Sequence, residues 1–348
     1  MLRRALPLLF AMLALTPLAA SAAQAPAGRA GEVQDLRRKL TDLGQSTQAN
    51  ERTMAQERAR LEILNIREAE LTARIARNQG QLVHLLAALQ AFQRQPPPPL
   101  LVSPRSAKDA VRAAILIRAI APGLEARGRA FAVQAEAIRK LRREAAIASA
   151  SYFRAESDVA EGQVRIDALA QQKNALEQDL YPGVRAAEAQ ARALAARSGS
   201  VGDLVQGLRG PQGAENQAAG DKAPERLIQP VQGMVERRFG QRSGGNGRSE
   251  GWTYAVREGA VVLAPARAQV DYAGPLRGWG NVVILRLGGG YHMVLAGMDK
   301  VSTGAGRTVA AGEPVGRMAE GGGETPKLYL EVRKNAAPID PARWLPAT

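Results

Sequence analysis

Only two histidines, His84 and His292, and no cysteine occur in the 348 residues. That scarcity limits the chemistry. A chain without thiols has no Cys nucleophile, no thiolate metal site and no disulfide. A catalytic zinc normally takes three protein ligands, two or three of them often imidazole, which this chain can barely supply. His292 lies in a β-like run and reads as structural. His84 lies in a helical repeat and reads as surface or seam. Near the C-terminus the run Lys327-Leu-Tyr-Leu-Glu-Val-Arg333 sets Lys327, Tyr329, Glu331 and Arg333 at every second position. The run reads as a strand.

The elements that must position this strand fall into distinct segments. From about Gly31 to Arg94 the chain carries a heptad seam, Leu61, Leu64, Glu68, Leu71, Ile75, Asn78, Leu82, Leu85, Leu89 and Phe92. Val33, Leu36, Leu40 and Leu43 start a similar stripe, and the polar stretch Gln45 to Asn50 interrupts the two. A second seam runs Ile138, Leu141, Ala145, Ala148, Tyr152, Ala155, Val159, Gly162, Ile166, Leu169, Lys173, Leu176 and Leu180, broken only by Gly162 and Lys173. The simplest arrangement is an antiparallel coiled-coil hairpin over 31–197, with a parallel homodimer as the alternative. The turn falls at Pro96–Pro99, which no helix tolerates. A short tip helix over about 106–120 should follow, ended by Pro122-Gly123. Its Ile115-Leu-Ile117 serves either as packing or as a docking surface. Residues 198–224 read as a linker holding an amphipathic helix at 201–209, with Val201, Leu204, Val205 and Leu208 at i, i+3, i+4 and i+7. Residues 225–348 shift to short β runs between glycine-rich turns.

Residues 1–23 combine Arg3-Arg4, an apolar run and Ala20-Ser-Ala-Ala23. This is the pattern of a secretory signal peptide, and the run is too short and proline-broken for a span. The formal net charge is +14. Export argues against nucleic acid as the partner, and leaves an anionic envelope, an acidic protein surface or simply solvated helix faces.

The β-rich segment resembles the LytM or lysostaphin-like zinc metallopeptidases of peptidoglycan. The resemblance rests on Pro230-Val-x-Gly233, Arg238-Phe-Gly240, Ala264-Pro265, Tyr272-Ala-Gly274, Gly278-Trp-Gly-Asn281, Val282–Leu285, Val309-x-x-Gly312, Val315-Gly316, Leu328-x-x-Glu-Val-Arg333 and Pro338–Pro341 with Trp344. It implies an α+β chain in two parts, the helical hairpin followed by a duplicated-hybrid-motif-like domain. The family's zinc ligands, in His-x-x-x-Asp and the second histidine of His-x-His, correspond to Ser249, Thr253 and Tyr329. Its two further catalytic histidines correspond to Lys327 and Gly297. Hydroxyls protonated at neutral pH are poor zinc ligands, so the resemblance implies a domain without metal, cofactor or catalysis.

With the coiled coil in front, the chain resembles the EnvC-like murein hydrolase activators. That resemblance implies a periplasmic, non-catalytic activator of N-acetylmuramoyl-L-alanine amidases in cell division and daughter-cell separation. The coiled coil would bind an FtsEX-like membrane complex, which would hold the protein at the inner membrane, and peptidoglycan is a further partner. Trp252, Lys327, Tyr329 and Arg333 would line the partner groove, and Val201, Leu204, Val205 and Leu208 would form an inhibitory helix. Trp252 reads equally well as core, and Arg333 as a structural salt bridge. The alternatives are a zinc endopeptidase cutting peptidoglycan cross-links and a structural peptidoglycan-binding or division scaffold.

Overall fold

A computed structural model describes residues 21–94, 104–208, 226–242, 247–335 and 337–345. The signal-peptide run of residues 1–20, the Pro96–Pro99 turn and residues 209–225 of the linker lie outside them. So does the side chain of His84. The long N-terminal helices are α1 (Ser21–Arg94) and α2 (Pro104–Leu180), followed by α3 (Gly183–Arg197) and α4 (Val201–Leu208). An antiparallel β-rich domain completes the chain. The molecule divides into two compact units, residues up to 49 with 160–348, and residues 50–159.

In the 50–159 unit, Met54 packs with Tyr152, Ala155 and Val159, and Arg142 Nε donates to Glu68 at 2.7 Å. Leu64, Ile75 and Ala148 of the seams are buried as well. Partners converge in the antiparallel sense, early α1 positions meeting late α2 positions. The tip helix expected at 106–120 is instead the first part of α2, which runs on through Pro122. Proline forfeits one helical hydrogen bond and costs about 3 kcal/mol, but its φ near −65° is helical, and helix-forming flanks carry it. Val111 and Ile115 are exposed there.

In the other unit, Leu40 of α1 meets Ile166 and Ala170 of α2, and these pack on Val261 and Leu263 of the β domain. The polar interruption of the first seam now has a cause. Thr47 and Gln48 are buried, and the Gln48 amide donates to the Gln229 carbonyl at 3.3 Å. Gly162 is a point of close approach, since a Cβ there would lie 2.5 Å from Thr47 Oγ1. The second arm ends at Leu180, not at Arg197. Pro182 lacks an N–H and biases Tyr181 away from the helical region, so α3 starts afresh in a new direction. α3 lies on the β domain, with Val184 and Ala191 buried and Ala187 against Gly306.

The domain has β1 (Gly233–Arg237), β2 (Trp252–Val256), β3 (Val261–Leu263), β4 (Ala268–Leu276), β5 (Gly280–Arg286), β6 (Tyr291–Met298), β7 (Lys300–Val301), β8 (Thr308–Val309), β9 (Pro314–Arg317), β10 (Lys327–Lys334) and β11 (Ala337–Ile339). The main sheet is ordered β1-β2-β10-β6-β5-β4-β8, with β11 also paired to β10, and β3-β9-β7 form a small second sheet. Between the sheets lies the core, with Trp252, Tyr254, Val262, Leu285, Met293, Leu295, Leu328 and Leu330 within it. The opposite face of the main sheet carries the candidate site.

Candidate functional site

β10 runs between β2 and β6, so its outward side chains occupy the middle of that face. Leu328, Leu330 and Val332 enter the core, and by alternation Lys327, Tyr329, Glu331 and Arg333 take the other side. Tyr329 stands opposite Thr253 of β2 and Ala296 of β6, and Arg333 stands opposite His292. A groove of about 710 Å³ opens here, lined by Ser249, Glu250, Thr253, Tyr329, Glu331 and Arg333, with Arg237, Arg248 and Trp279 at its sides and the first turns of α4 along one wall.

The polar groups of the groove are tied to one another. The Tyr329 hydroxyl donates to Glu331 Oε2 at 3.0 Å. Arg333 Nε donates to Glu331 Oε1, and Arg333 Nη2 to Glu250 Oε2 at 2.9 Å. Burial pushes the Glu331 carboxyl above the ordinary carboxylate range, and Arg333 opposes that shift. Burial, then the nearby Glu331 charge, raises Tyr329 strongly, so it stays a protonated donor at neutral pH. Its ring packs against Trp279 at 4.9 Å between centroids.

These residues do not fit zinc. The Ser249 hydroxyl donates to the Gly251 carbonyl at 2.8 Å, and the Tyr329 phenol is protonated and committed to Glu331. Gly297 has φ +94°, and a Cβ there would collide with the Lys327 carbonyl. No longer side chain can reach the groove from that position without moving β10. Among the described residues no group of three or more His, Cys, Asp or Glu is placed to hold a metal. His292 is buried, 3.5 Å from an Asp271 oxygen, and Asp271 also pairs with Arg286 at 2.8 Å. That places it in a structural cluster, as expected of a lone strand histidine.

Most of the anticipated residues converge. Ser249, Thr253, Tyr329 and Arg333 line one groove, whereas Lys327 is not part of its lining and pairs with Glu236 at 2.8 Å. Trp252 does not join them. It is 1% exposed inside the core, with the Arg238 guanidinium 5.6 Å from its ring centroid. Strand parity is the cause, because Thr253 faces the groove and its neighbour must face away. Glu331, Trp279, Glu250, Arg237 and Arg248 were missed as groove residues. Of these, Trp279 had a signal in the sequence, since it lies inside the Gly278–Asn281 block.

The helix stripe reaches the same face. Val201, Leu204 and Val205 are buried against Tyr272, Ile284, Val294 and Ala296, and Leu208, Trp279 and Tyr329 border that contact. Ser200 Oγ caps the helix by accepting from the Asp203 N–H at 3.1 Å. The Arg333 guanidinium lies under Gly202, where an added Cβ would sit 3.2 Å from Nη1.

Residues 247–341 match the model of peptidase family M23. The murein hydrolase activator NlpD of Escherichia coli (strain K12) is 32% identical over 118 residues, 34% of this chain and 30% of its own. The murein hydrolase activator EnvC of the same strain is 26% identical over 202 residues, 55% of this chain and 48% of its own. The outer membrane antigenic lipoprotein B of Haemophilus influenzae is 32% identical over 118 residues, 34% of this chain and 28% of its own. The chain therefore spans less than half the length of each of these relatives. Residues 247–341 thus form a peptidase M23, or LytM, domain, homologous to those of the murein hydrolase activators EnvC and NlpD.

Proposed function

We propose that this protein activates N-acetylmuramoyl-L-alanine amidases in the periplasm without cutting peptidoglycan itself, and that its groove is the amidase-docking surface. The observation that carries the reading is the groove face. Ser249, Thr253 and Tyr329, which the resemblance sets at the zinc positions, line one groove, and α4 lies on the same face. The homology to EnvC and NlpD, both named murein hydrolase activators, supports an activator role in kind. Tyr329 and Arg333 are the anchors, since aromatic and Arg side chains in a desolvated setting carry most interface energy.

α4 is the control on access. While it is docked, the apolar surface of Val294 and Ala296 is covered and the Arg333 guanidinium lies under its first turn. Its release would expose an apolar patch rimmed by Tyr329, Trp279 and Arg333. The long helices would receive the signal, from an FtsEX-like membrane complex during cell division, and the N-terminal run would direct export. The +14 charge suits an anionic envelope.

The test is a reconstituted assay with a partner amidase and purified peptidoglycan. The intact protein should give low activation and a variant lacking 201–208 high activation. Arg333→Ala in the shortened variant should abolish it. Unchanged basal activation on deleting α4 would remove the inhibitory role. Binding without any rise in turnover would leave only a scaffold. Stoichiometric zinc with chelation-sensitive cleavage of peptidoglycan by this protein alone would overturn the non-catalytic reading.

A further inference from the structure

A second crevice, on the side of the domain formed by the β4–β8 edge, has no part in the groove. It encloses about 500 Å³ between α1 and that edge, and its lining includes Arg37, Arg38, Thr41 and Asp42 of the helix and Arg267 and Thr308 of the domain. Three guanidinium groups therefore face one carboxylate.

Two of the polar atoms in these residues are unusual. Among the described residues, Arg37 Nε and Thr41 Oγ1 are both buried and find no hydrogen-bond partner. A buried unsatisfied donor costs about 1–3 kcal/mol, so such atoms call for an explanation. The Arg37 side chain is only 15% exposed and is fixed from behind, its Nη2 donating to Glu177 Oε1 at 2.8 Å. Glu177 is itself held in a buried array. Arg307 Nε lies 3.8 Å from it and Lys173 Nζ 3.9 Å, and Lys173 also pairs with Glu313. Arg37 is the cation of that array that reaches the crevice, and its guanidinium is already ordered before any ligand arrives. Arg267 is exposed and has no ion-pair partner among the described residues. Arg38 has only an exposed Asp35 at 3.7 Å.

We propose that this crevice is an oxyanion-binding site, taking a carboxylate or phosphate carried on a small polar molecule. Arg37, Arg38 and Thr41 line the helix wall and Arg267 the domain wall, so an anion between them meets three guanidinium groups. Guanidinium forks suit both oxyanions, and a fixed fork loses little entropy on binding. The volume lies in the range of small-molecule sites and exceeds what a bare phosphate fills. Since one wall is α1 and the other is the β domain, an occupant would brace the base of the helices against the domain. This inference does not depend on the groove or on amidase activation.

Calorimetric titration of the full chain at 0.15 M salt tests it, with inorganic phosphate in one arm and N-acetylmuramic acid, a carboxylate sugar, in the other. Saturable binding is expected in at least one arm, and the arm that binds more tightly identifies the source of the anion. The double variant Arg38→Glu/Arg267→Glu should weaken that binding tenfold or more, and Arg267→Ala alone about threefold, from the loss of one charge-assisted contact. Arg277→Glu, an exposed arginine on the β4–β5 turn, should leave it unchanged. Both crevice arginines are exposed, so melting without anion should match the parent. Absence of saturable binding in both arms overturns the proposal. So does binding that the double variant leaves intact or that Arg277→Glu weakens equally.

Discussion

Two contacts fasten helices to the M23 domain, and they are built from opposite materials. At the base of α1 and α2 the contact is ionic and buried. Lys173, Glu177, Glu313 and Arg307 are each under 5% exposed, with Arg37 and Glu188 at the edges. Over the groove the contact is aliphatic and short, three buried side chains of the eight-residue α4. Burial of each aliphatic contributes about 1.5–3 kcal/mol, while ordering each residue of α4 costs about 1 kcal/mol or more. The two are of comparable size, which is what the proposed release of α4 requires. The ionic base differs, because losing one partner there leaves a buried charge uncompensated. Under the proposed function the first is a rigid joint and the second a releasable one, both on a single domain.

The largest effect should come from breaking the rigid joint. Lys173→Met leaves Glu313 buried without its cation, and should cost about 3–5 kcal/mol in denaturant unfolding. Adding Glu313→Leu should recover much of that loss, because an apolar pair removes the uncompensated charge. If the double variant is as unstable as the single one, the array is not held by paired charge.

Leu204→Asp attacks the releasable joint. It should leave the domain folded, loosen α4 and raise amidase activation about tenfold, a shift of about 1.4 kcal/mol. Limited proteolysis should show earlier cleavage around 198–208. A variant that unfolds globally would contradict the contrast between the joints.

A smaller effect concerns the groove itself. Glu331 has a folded pKa raised above the ordinary 4.5, chiefly by burial. The folded state therefore holds the proton longer than the unfolded state does. Stability is favoured at low pH and falls as pH rises from about 4.5 through the raised value, staying lower above it. Glu331→Gln should remove this component, seen as a flatter dependence of melting temperature on pH. The phenol of Tyr329 keeps an acceptor in that variant.

The smallest effect should follow Glu68→Gln. Its partner Arg142 is 67% exposed, so water already screens the pair. Thermal melts should move by an amount equivalent to about 0.5 kcal/mol or less. This pair and Lys173–Glu313 have similar chemistry, and only burial separates the two outcomes.

Local pattern made much of this legible. Heptad spacing marked the seams, and a period of two along Lys327–Arg333 would have set Glu331 beside Tyr329. The same rule would have excluded Trp252 once Thr253 was assigned to the cleft. Pro182 was a readable stop signal, and it ends the second arm. Lys173 looked like a defect in its seam, since the carboxylate it meets is 140 residues away. Gly162 looked like a weak point for the same reason, its neighbour Thr47 being on another helix.

The amino-acid sequence by itself determined the helical and β-rich parts, the M23 motifs and the scarcity of imidazole and absence of thiol. Those follow from residue type and short-range period. Tertiary structure alone decided that α4 lies on the Tyr329 face, that α3 turns onto the domain, and that six charged groups meet at its base. Each of these depends on contacts between distant segments. Such contacts are fixed by the packing of whole surfaces, which no local period encodes.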